Sequence, residues 1–321
     1  MDFLSNLFSD AQQWLFEAAV QPIVFGLGFG GWVEQAFTAT GWLLVGLLQL
    51  LVLVAVLGPL QRWRPVEPVR DRAVVRIDII YTLLHRLGVF RLLLFFTLDP
   101  LMDGLFGDLR VAGIATFHLD ALWPGVTDQP VFSFALYLVA FDLLGYWVHR
   151  CQHQFAWWWS LHALHHSQRQ MTLWSDNRNH LLDSVIGDVI FAVAAQLVGV
   201  APGQFIAIVA CTQLSESLQH ANLRLWFGQV GERLWVSPRF HRRHHSIGIG
   251  HESAGKNTLG GHNFGVLLPW WDMLFGTANF ELRYDPTGIR DQLAEEGAHD
   301  YGQGFWQQQW LGLRRLWTVL R

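Results

Sequence analysis

The sequence predicts an all-α fold of polytopic membrane helices, about four to six in number, with a helical cap on the cytoplasmic side. Two observations lead to this class. Of the 321 residues, 51% are hydrophobic and 15% are charged, whereas a typical soluble domain carries a larger charged fraction. Several uninterrupted apolar segments are also long enough to cross a bilayer as helices. The net charge of −4, with arginines scattered among apolar segments, excludes nucleic acid as a partner.

The clearest candidate span is residues 35–61, which carry no charge over 27 positions. A helix of about 20 residues crosses a hydrocarbon core roughly 30 Å thick. An Ala-Pro-Gly break separates the last two of the remaining apolar segments, so we expect a tight helical hairpin there. These segments cover about 77–98, 131–148, 184–200 and 205–219. The N-terminal 34 residues are amphipathic, and either an interfacial helix or another short span fits them.

Loop charges predict the orientation of these spans. Residues 62–76 hold five arginines against Glu67 and Asp71, which marks this loop as cytoplasmic because loops on that side carry an excess of Lys and Arg. Residues 99–128 show the reverse bias, with five aspartates and one arginine. Counting spans onward places both histidine-rich regions of the chain on the cytoplasmic side, and we expect a bacterial inner membrane.

Three histidine clusters stand out, one with the spacing His-x-x-x-His and two with the spacing His-x-x-His-His. They are His149 with His153, His162 with His165 and His166, and His241 with His244 and His245. Residues three or four apart share one face of a helix. Ser237 suits a helix N-cap and Pro238 suits the first helical position, so the third cluster should begin a helix. Each cluster therefore presents its imidazoles together.

Eight clustered imidazoles exceed the needs of one zinc, which takes four ligands or three and a water. Two metals fit better, and all-imidazole ligation suits iron, copper or zinc rather than magnesium or calcium. His180, where the chain returns to the membrane, and His220, at the end of an apolar helix, are further candidate ligands. Glu216 lies one turn before His220, where a carboxylate could orient a histidine, bind a metal or form a surface ion pair.

Six segments together resemble the sterol desaturase and fatty acid hydroxylase superfamily, a group of integral-membrane di-iron oxygenases. They are residues 142–153, 161–167, 178–183, 216–225, 236–246 and 262–277. The resemblance covers residues 131–280 in the order of the family. It implies a membrane base of four or more helices, a cytoplasmic cap that holds two irons, and insertion of oxygen from O2 into an unactivated C–H bond of a lipid. Whether the product is hydroxylated or desaturated is left open.

The resemblance also implies a set of ten metal ligands. They are His149, His153, His162, His165, His166, His180, His220, His241, His244 and His245. Glu216 remains a possible ligand or histidine partner, and Asn263 and Asp272 would support the cap. The expected cofactor is two iron ions, which zinc can replace in purified protein. The 247–262 insert is longer than usual for the family, and Glu216 lies where some relatives have a histidine.

The resemblance divides the chain into four parts and implies three partners. The parts are an N-terminal amphipathic or short membrane segment (1–34), membrane helices with an acidic external loop (35–130), the catalytic domain (131–280) and a C-terminal cytoplasmic tail (281–321). The partners are a membrane lipid, O2 and an external electron donor. A reductase, a ferredoxin or a b-type cytochrome is expected, because the chain has no cysteine set for an iron–sulfur cluster and no dinucleotide-binding motif.

Two alternatives of other classes remain at this stage. A membrane zinc hydrolase also uses helix-borne histidines, but His-Glu-x-x-His is absent, since His251-Glu252 is followed by Ser-Ala-Gly. A histidine-rich metal-binding or transport protein would line a path with its histidines. The clusters here lie at helix ends rather than in mid-span, which argues against permeation.

Overall fold

The computed structural model describes residues 2–90, 99–114, 116–251 and 260–321. These residues form helices and loops, with an antiparallel bridge between Ser246 and Thr287, so the predicted all-α class is confirmed. The helices of the described residues are α1 (Asp2–Leu15), α2 (Gln21–Gly26), α3 (Val33–Val52), α4 (Gly58–Trp63), α5 (Arg72–Arg86), α6 (Asp99–Val111), α7 (Pro130–Gln154), α8 (Ala156–His166), α9 (Leu181–Val198), α10 (Pro202–His220), α11 (Gly228–Gly231), α12 (Pro238–His244), α13 (Trp270–Leu274) and α14 (Phe305–Leu320).

Three stretches of the described residues are long and apolar enough to cross a membrane. They are Gly30–Trp63, which contains α3 and α4, Pro130–Gln154, which is α7, and Leu181–Val198, which is α9. Each overlaps a predicted span. The predicted span at 205–219 lies within α10, which is not among these three, and residues 91–98 of the predicted span at 77–98 lie outside the described residues. Four to six spans therefore stay a prediction.

Close packing joins the first span to α5. Gly46 lies so near the chain that a Cβ there would come within 1.6 Å of the carbonyl oxygen of Arg86. Only a residue without a side chain allows this approach. It places Gln49 of α3 within 3.0 Å of the Arg86 guanidinium, which in turn donates to Asp176 at 2.7 Å. The N-terminal helices are thus tied to the part of the chain that carries the histidines.

A short connection, residues 199–201, joins α9 and α10 where the hairpin is predicted. Gly199 ends α9 with φ 67°, a conformation that costs glycine little, and Pro202 is the first residue of α10. Tyr137, Phe141 and Ile208 form a buried apolar cluster where α10 packs against α7. This packing directs the C-terminal ends of α7 and α10, and the histidines on them, to one end of the bundle.

Two buried aspartates fix the loop that closes the cap. Asp142 of α7 accepts hydrogen bonds from the backbone N–H groups of Leu267 and Leu268 at 2.7 and 3.1 Å. Asp272 accepts from the N–H groups of Phe264 and Gly265 at 2.8 and 2.7 Å. Burial raises the pKa of Asp272 to about 6, against the opposing effect of these hydrogen bonds. The loop therefore has a fixed path past the histidine helices.

Asn263 holds the entry to the same loop. Its φ is 58°, a left-handed conformation that asparagine tolerates better than most residues. The side-chain amide donates to the carbonyl oxygens of Phe240 and Asn279 at 2.9 and 3.1 Å. Asn263 thus connects the loop to α12, and both Asn263 and Asp272 lie where they support the cap.

The C-terminal segment packs against the histidine helices. Helix α14 lies along α8, and the Arg315 guanidinium donates to the carbonyl oxygen of Ser160 at 3.1 Å. The amide of Gln309 donates to the hydroxyl of Tyr81 at 2.9 Å and so reaches α5 as well. Residues 281–321, predicted as a tail, therefore contribute one wall of the cap.

Candidate metal centre

Nine histidines from four helices converge at one end of the bundle. The contributing helices are α7, α8, α10 and α12, and the last histidine follows α12 directly. The nine are His149, His153, His162, His165, His166, His220, His241, His244 and His245. The structure thus brings together nine of the ten histidines predicted as ligands.

The ring nitrogens divide into two groups of four and a set that joins them, with the nitrogens in each lying within 4.8 Å of one another. The first group is His149, His153, His162 and His166; the second is His165, His220, His241 and His245; the joining set is His166, His244 and His245. Four nitrogens at such distances can surround one metal ion. Each group of four therefore offers enough imidazole nitrogens to hold a metal ion.

The two His-x-x-His-His segments are helical as their spacing predicts. Helix α8 begins after Phe155, whose backbone is extended. Helix α12 begins as its sequence predicts, because the Ser237 hydroxyl accepts a hydrogen bond from the Phe240 N–H at 3.1 Å and Pro238 is its first residue. Both segments bring all three of their histidines to the centre, from the first, fourth and fifth positions of the motif.

The Nε2 atoms of the second group approach one another closely. His165 and His220 are 3.1 Å apart, His220 and His241 3.0 Å, and His241 and His245 3.1 Å, each measured between Nε2 atoms. A neutral imidazole carries one proton, so at most one nitrogen of each pair can donate. At least one nitrogen of each pair therefore presents a lone pair to the other, and several such nitrogens together form an environment that a cation favouring imidazole would stabilise.

Burial keeps these imidazoles neutral. It lowers the pKa well below the ordinary histidine value for five histidines on α8, on α12 and directly after α12, and the neighbouring imidazoles lower it further. They are His165, His166, His241, His244 and His245. A neutral imidazole retains the lone pair that a metal ligand needs. The centre is therefore ready to bind a metal at neutral pH.

Asp183 orients His162. One carboxylate oxygen lies 3.1 Å from His162 Nδ1, and the other accepts from the Trp158 indole N–H at 2.7 Å and from the Gln152 amide at 2.8 Å. The Nε2 of His162 is buried and has no hydrogen-bond partner within the described part of the chain. A carboxylate on one ring nitrogen with the other left bare is the usual pairing behind a metal-bound histidine.

Backbone carbonyls hold four other histidines. The Nδ1 atoms of His149 and His153 lie 3.0 Å from the carbonyl oxygen of Phe264 and 3.2 Å from that of Gly260. Two further Nδ1 atoms, of His220 and His244, lie 2.8 Å and 2.7 Å from the carbonyl oxygens of Glu216 and His262. An Nδ1–H that donates to a carbonyl leaves the Nε2 lone pair for the metal.

These orienting groups were not predicted. Asp183 is the last residue of the segment RNHLLD. An acidic residue in the first turn of an apolar helix is the signal that could have identified it as a histidine partner. Carbonyl partners leave no signal in the sequence, because every residue has a backbone carbonyl.

The structure places His180 outside the centre, contrary to the prediction that it is a ligand. Its Nε2 donates to the carbonyl oxygen of Gln309 at 2.9 Å, and its Nδ1 accepts from the Leu182 N–H at 3.1 Å. Both ring nitrogens are therefore used. His180 caps the N-terminus of α9 and receives α14, whose Gly312 lies against the imidazole ring.

Glu216 also lies outside the three nitrogen sets. Its carboxylate instead faces a cavity of about 380 Å³. This cavity reaches His149, His162, His165 and His220 at one end and the apolar side chains of the membrane helices at the other. A substrate in the cavity would lie directly beside both metal-binding groups.

The region that carries these histidines also resembles a known protein family. Residues 134–277 match the fatty acid hydroxylase family. This match covers less than half of the 321 residues. The matched region begins in α7, ends just beyond α13 and includes all nine converging histidines. The predicted resemblance to the sterol desaturase and fatty acid hydroxylase superfamily is confirmed.

Three curated relatives of this domain are lipid or fatty acid oxygenases by name. Ornithine lipid hydroxylase OlsE of Rhizobium tropici is 28% identical over 248 residues, which cover 77% of this chain and 70% of that protein. Fatty acid hydroxylase vlmA of a Lecanicillium species is 25% identical, covering 49% of this chain and 44% of the relative. Alkylglycerol monooxygenase of Caenorhabditis elegans is 25% identical, covering 56% and 32%. No solved structure matches the chain significantly.

Proposed function

We propose that the protein is a membrane-bound di-iron oxygenase that uses O2 and external electrons to hydroxylate an unactivated C–H bond of a membrane lipid. One observation carries the proposal: two groups of four imidazoles open onto one cavity that continues between membrane helices. The relatives named as lipid hydroxylases support the substrate class. Desaturation of the same lipid is the related outcome that product analysis separates from hydroxylation.

The residues present fit two irons. The first ion would be held by His149, His153, His162 and His166, the second by His165, His220, His241 and His245, with His244 beside both. Orphaned ring nitrogens at this point, such as Nε2 of His162, have no protein partner in the described residues and suit a metal. Nitrogen sites of this kind also take zinc, so zinc can replace iron during purification.

The bound irons would supply the activation of O2 and the oxidation of the C–H bond. The residues of the chain would orient the ligands, bind the lipid and exclude water. Asp183 and the loop carbonyls fix the ring orientation of the histidines. Apolar side chains such as Phe141 and Phe191 line the far part of the cavity, where they bind the lipid chain and exclude water. The histidine end of the cavity then receives the carbon that is to be oxidised.

We place the histidine centre at the cytoplasmic face of a bacterial inner membrane. Arg242 of α12 pairs with Glu67 at 3.0 Å, so the arginine-rich 62–76 loop contacts the cap. An excess of arginine is typical of cytoplasmic loops. Electrons from a reductase, a ferredoxin or a b-type cytochrome would then reach the centre from the cytoplasm.

The zinc hydrolase and the metal transporter are not favoured. Within the described residues, the three sets of candidate ligands consist of histidine alone, and the His-Glu-x-x-His pattern of many zinc hydrolases is absent from the sequence. The sets also lie at the ends of helices rather than along a path through the bundle.

Lipid mass spectrometry tests the proposal. Cells that express the protein should contain a lipid heavier by one oxygen atom, which is absent from cells with an empty vector and from cells with His244→Ala. His299→Ala is the matched control, because the His299 ring is largely exposed and lies outside the centre. A lipid that has instead lost two hydrogens would indicate desaturation. Lipid profiles identical to the empty control would contradict the proposal.

A further inference from the structure

The cavity beside the histidines is unusually acidic for its setting. Its far part is apolar, with Phe141, Phe191, Phe205, Ile208 and Val209 in the lining. Its near part contains five carboxylates and, among the described lining residues, the arginine Arg86 as the counterpart of opposite charge. The carboxylates belong to Asp142, Asp176, Asp183, Asp188 and Glu216. The contacts of each carboxylate show which of the five lacks a partner inside the protein.

The first three of these carboxylates are satisfied inside the protein. Asp142 accepts from the backbone of the cap loop, and Asp183 accepts from Trp158 and Gln152. Asp176 pairs with Arg86 at 2.7 Å. Asp188 also has an interaction within the structure. Arg86 is therefore already paired with a carboxylate of the protein.

Glu216 differs from the others. No hydrogen bond or ion pair to its carboxylate occurs within the described part of the chain, although its backbone carbonyl faces His220. The side chain is partly accessible because it lines the cavity. A carboxylate in an apolar setting is costly unless a cation or hydrogen-bond donor accompanies it. A ligand that enters the cavity can supply this partner.

The position of Glu216 relates it to the chemistry. It lies four residues before His220 on α10, and four residues of α-helix rise about 6 Å. Both side chains line the same cavity, together with the Thr212 hydroxyl one further turn away. A ligand group bound at Glu216 would thus lie within a few ångströms of the second histidine group, while an attached acyl chain could extend between the phenylalanines.

We propose that Glu216 binds an ammonium group in the head group of the lipid substrate, so that the protein selects aminolipids. This inference rests on the proposed function. A primary ammonium supplies the charge and the N–H donors that the Glu216 carboxylate lacks. A metal at this position is not supported, because Glu216 belongs to none of the three candidate ligand sets. A neutral head group would leave the carboxylate without its charged partner.

The test compares two lipids that differ at one amine, which is charged in one and acetylated in the other. Ornithine lipid has a free side-chain amine, and acetylation of that amine gives the uncharged counterpart. Binding of each lipid is measured on the purified metal-loaded protein in nanodiscs, and hydroxylation of each is measured in membranes from expressing cells. We expect the wild type to bind the ammonium lipid about 30-fold more tightly, in the range of one charge-assisted hydrogen-bonded pair.

Three variants separate recognition from folding. Glu216→Gln keeps the shape but not the charge, and should reduce the preference to below about threefold. Glu216→Asp keeps the charge and should retain most of the preference. Glu295→Gln makes the same chemical change at an exposed site and should leave the preference unchanged. Metal content should stay equal to that of the wild type in all three.

The outcomes distinguish the inference from the proposed function. If the wild type hydroxylates neither lipid and no other lipid in the cells, the proposed function fails. If it hydroxylates the acetylated lipid as well as the free amine, or if Glu216→Gln retains the preference, the ammonium site is wrong while the hydroxylase stands. Loss of metal in Glu216→Gln would likewise overturn the inference, since it would assign Glu216 to the metal centre.

Discussion

Helices α8 and α12 carry the same His-x-x-His-His pattern, yet different forces hold them in place. Helix α8 is supported by apolar contacts: Trp159 and Ala163 form a buried cluster with Ile289 and Tyr301, and α14 lies along its length. Most of its side chains other than the histidines are aromatic or aliphatic. Its position is therefore set by packing, which is insensitive to charge.

Helix α12 is instead supported by three buried arginines. Arg239 pairs with the buried Glu232, Arg242 pairs with Glu67 at 3.0 Å, and Arg243 pairs with Glu281 at 3.0 Å and with Asp285. A buried pair contributes little net stability, but removal of one partner leaves an uncompensated charge. Ion pairs therefore hold α12 at three defined side chains, and the loss of one charge should disrupt α12 more easily than α8.

The two histidine groups also differ in how their rings are held. In the first group, His162 is oriented by Asp183, and His149 and His153 by backbone carbonyls. In the second group, the Nδ1 atoms of His165, His241 and His245 are buried without a hydrogen-bond partner in the described residues. The first group is therefore held in shape by the protein, while the second group relies more on the metal itself. Identical motifs need not give equivalent metal positions.

The largest effect is expected from His166→Ala, which should impair both histidine groups and so abolish the difference between them. Nε2 of His166 lies 3.0 Å from Nε2 of His153 and 3.1 Å from Nε2 of His244, so His166 belongs to both the first group and the joining set. We expect activity to fall at least about 100-fold, because both metals lose a neighbour. Product formation and metal content measure it, and a variant with two metals and near-normal activity would contradict it.

Arg239→Met should show how α12 depends on charge. The substitution leaves Glu232 buried without its partner, which costs about 3–5 kcal/mol. The double variant with Glu232→Leu should recover most of this loss, because replacing both charges by apolar groups is often neutral. Thermal unfolding of the solubilised protein measures both. Equal loss in the single and double variants would mean that the ion pair is not what holds α12.

Asp183→Asn should weaken one metal position selectively. Without the carboxylate charge on His162, metal affinity in the first group should fall about 10–100-fold, while the second group keeps its ligands. Metal content is measured during titration with a chelator, and one metal per chain should leave early. Trp158→Phe, which removes a donor to Asp183 but keeps the carboxylate, is the milder control. Simultaneous loss of both metals would contradict the distinction between the groups.

Gly312→Ala is expected to have the smallest effect and tests the packing around α8. A Cβ at Gly312 would lie 2.3 Å from the His180 ring, and both nitrogens of that ring are bonded. Overpacking of this kind costs about 1–3 kcal/mol. Gly104→Ala, with open space around it, is the control in the same unfolding assay. If the two variants unfold at the same temperature, α14 does not constrain the cap.

Local spacing in the sequence was sufficient to predict the histidine helices. The i, i+3, i+4 pattern of His162, His165 and His166 specifies a shared face wherever the segment is helical, and Ser237 marks where α12 begins. Tertiary partners were beyond such reasoning. From the sequence alone, His180 resembles a ligand. In the structure, its Nε2 is hydrogen-bonded to the carbonyl oxygen of Gln309, which lies 129 residues later in the chain. Glu216 lies one turn from a ligand, yet the packing of α10 turns its carboxylate into the cavity.

The position of α14 after the histidines in the chain has a consequence for biogenesis. Residues 305–320 are synthesised after every histidine of the centre. Since chains fold progressively from the N-terminus during synthesis, α8 cannot pack against α14 until these residues have been made. The histidine helices are therefore formed before the wall that supports α8.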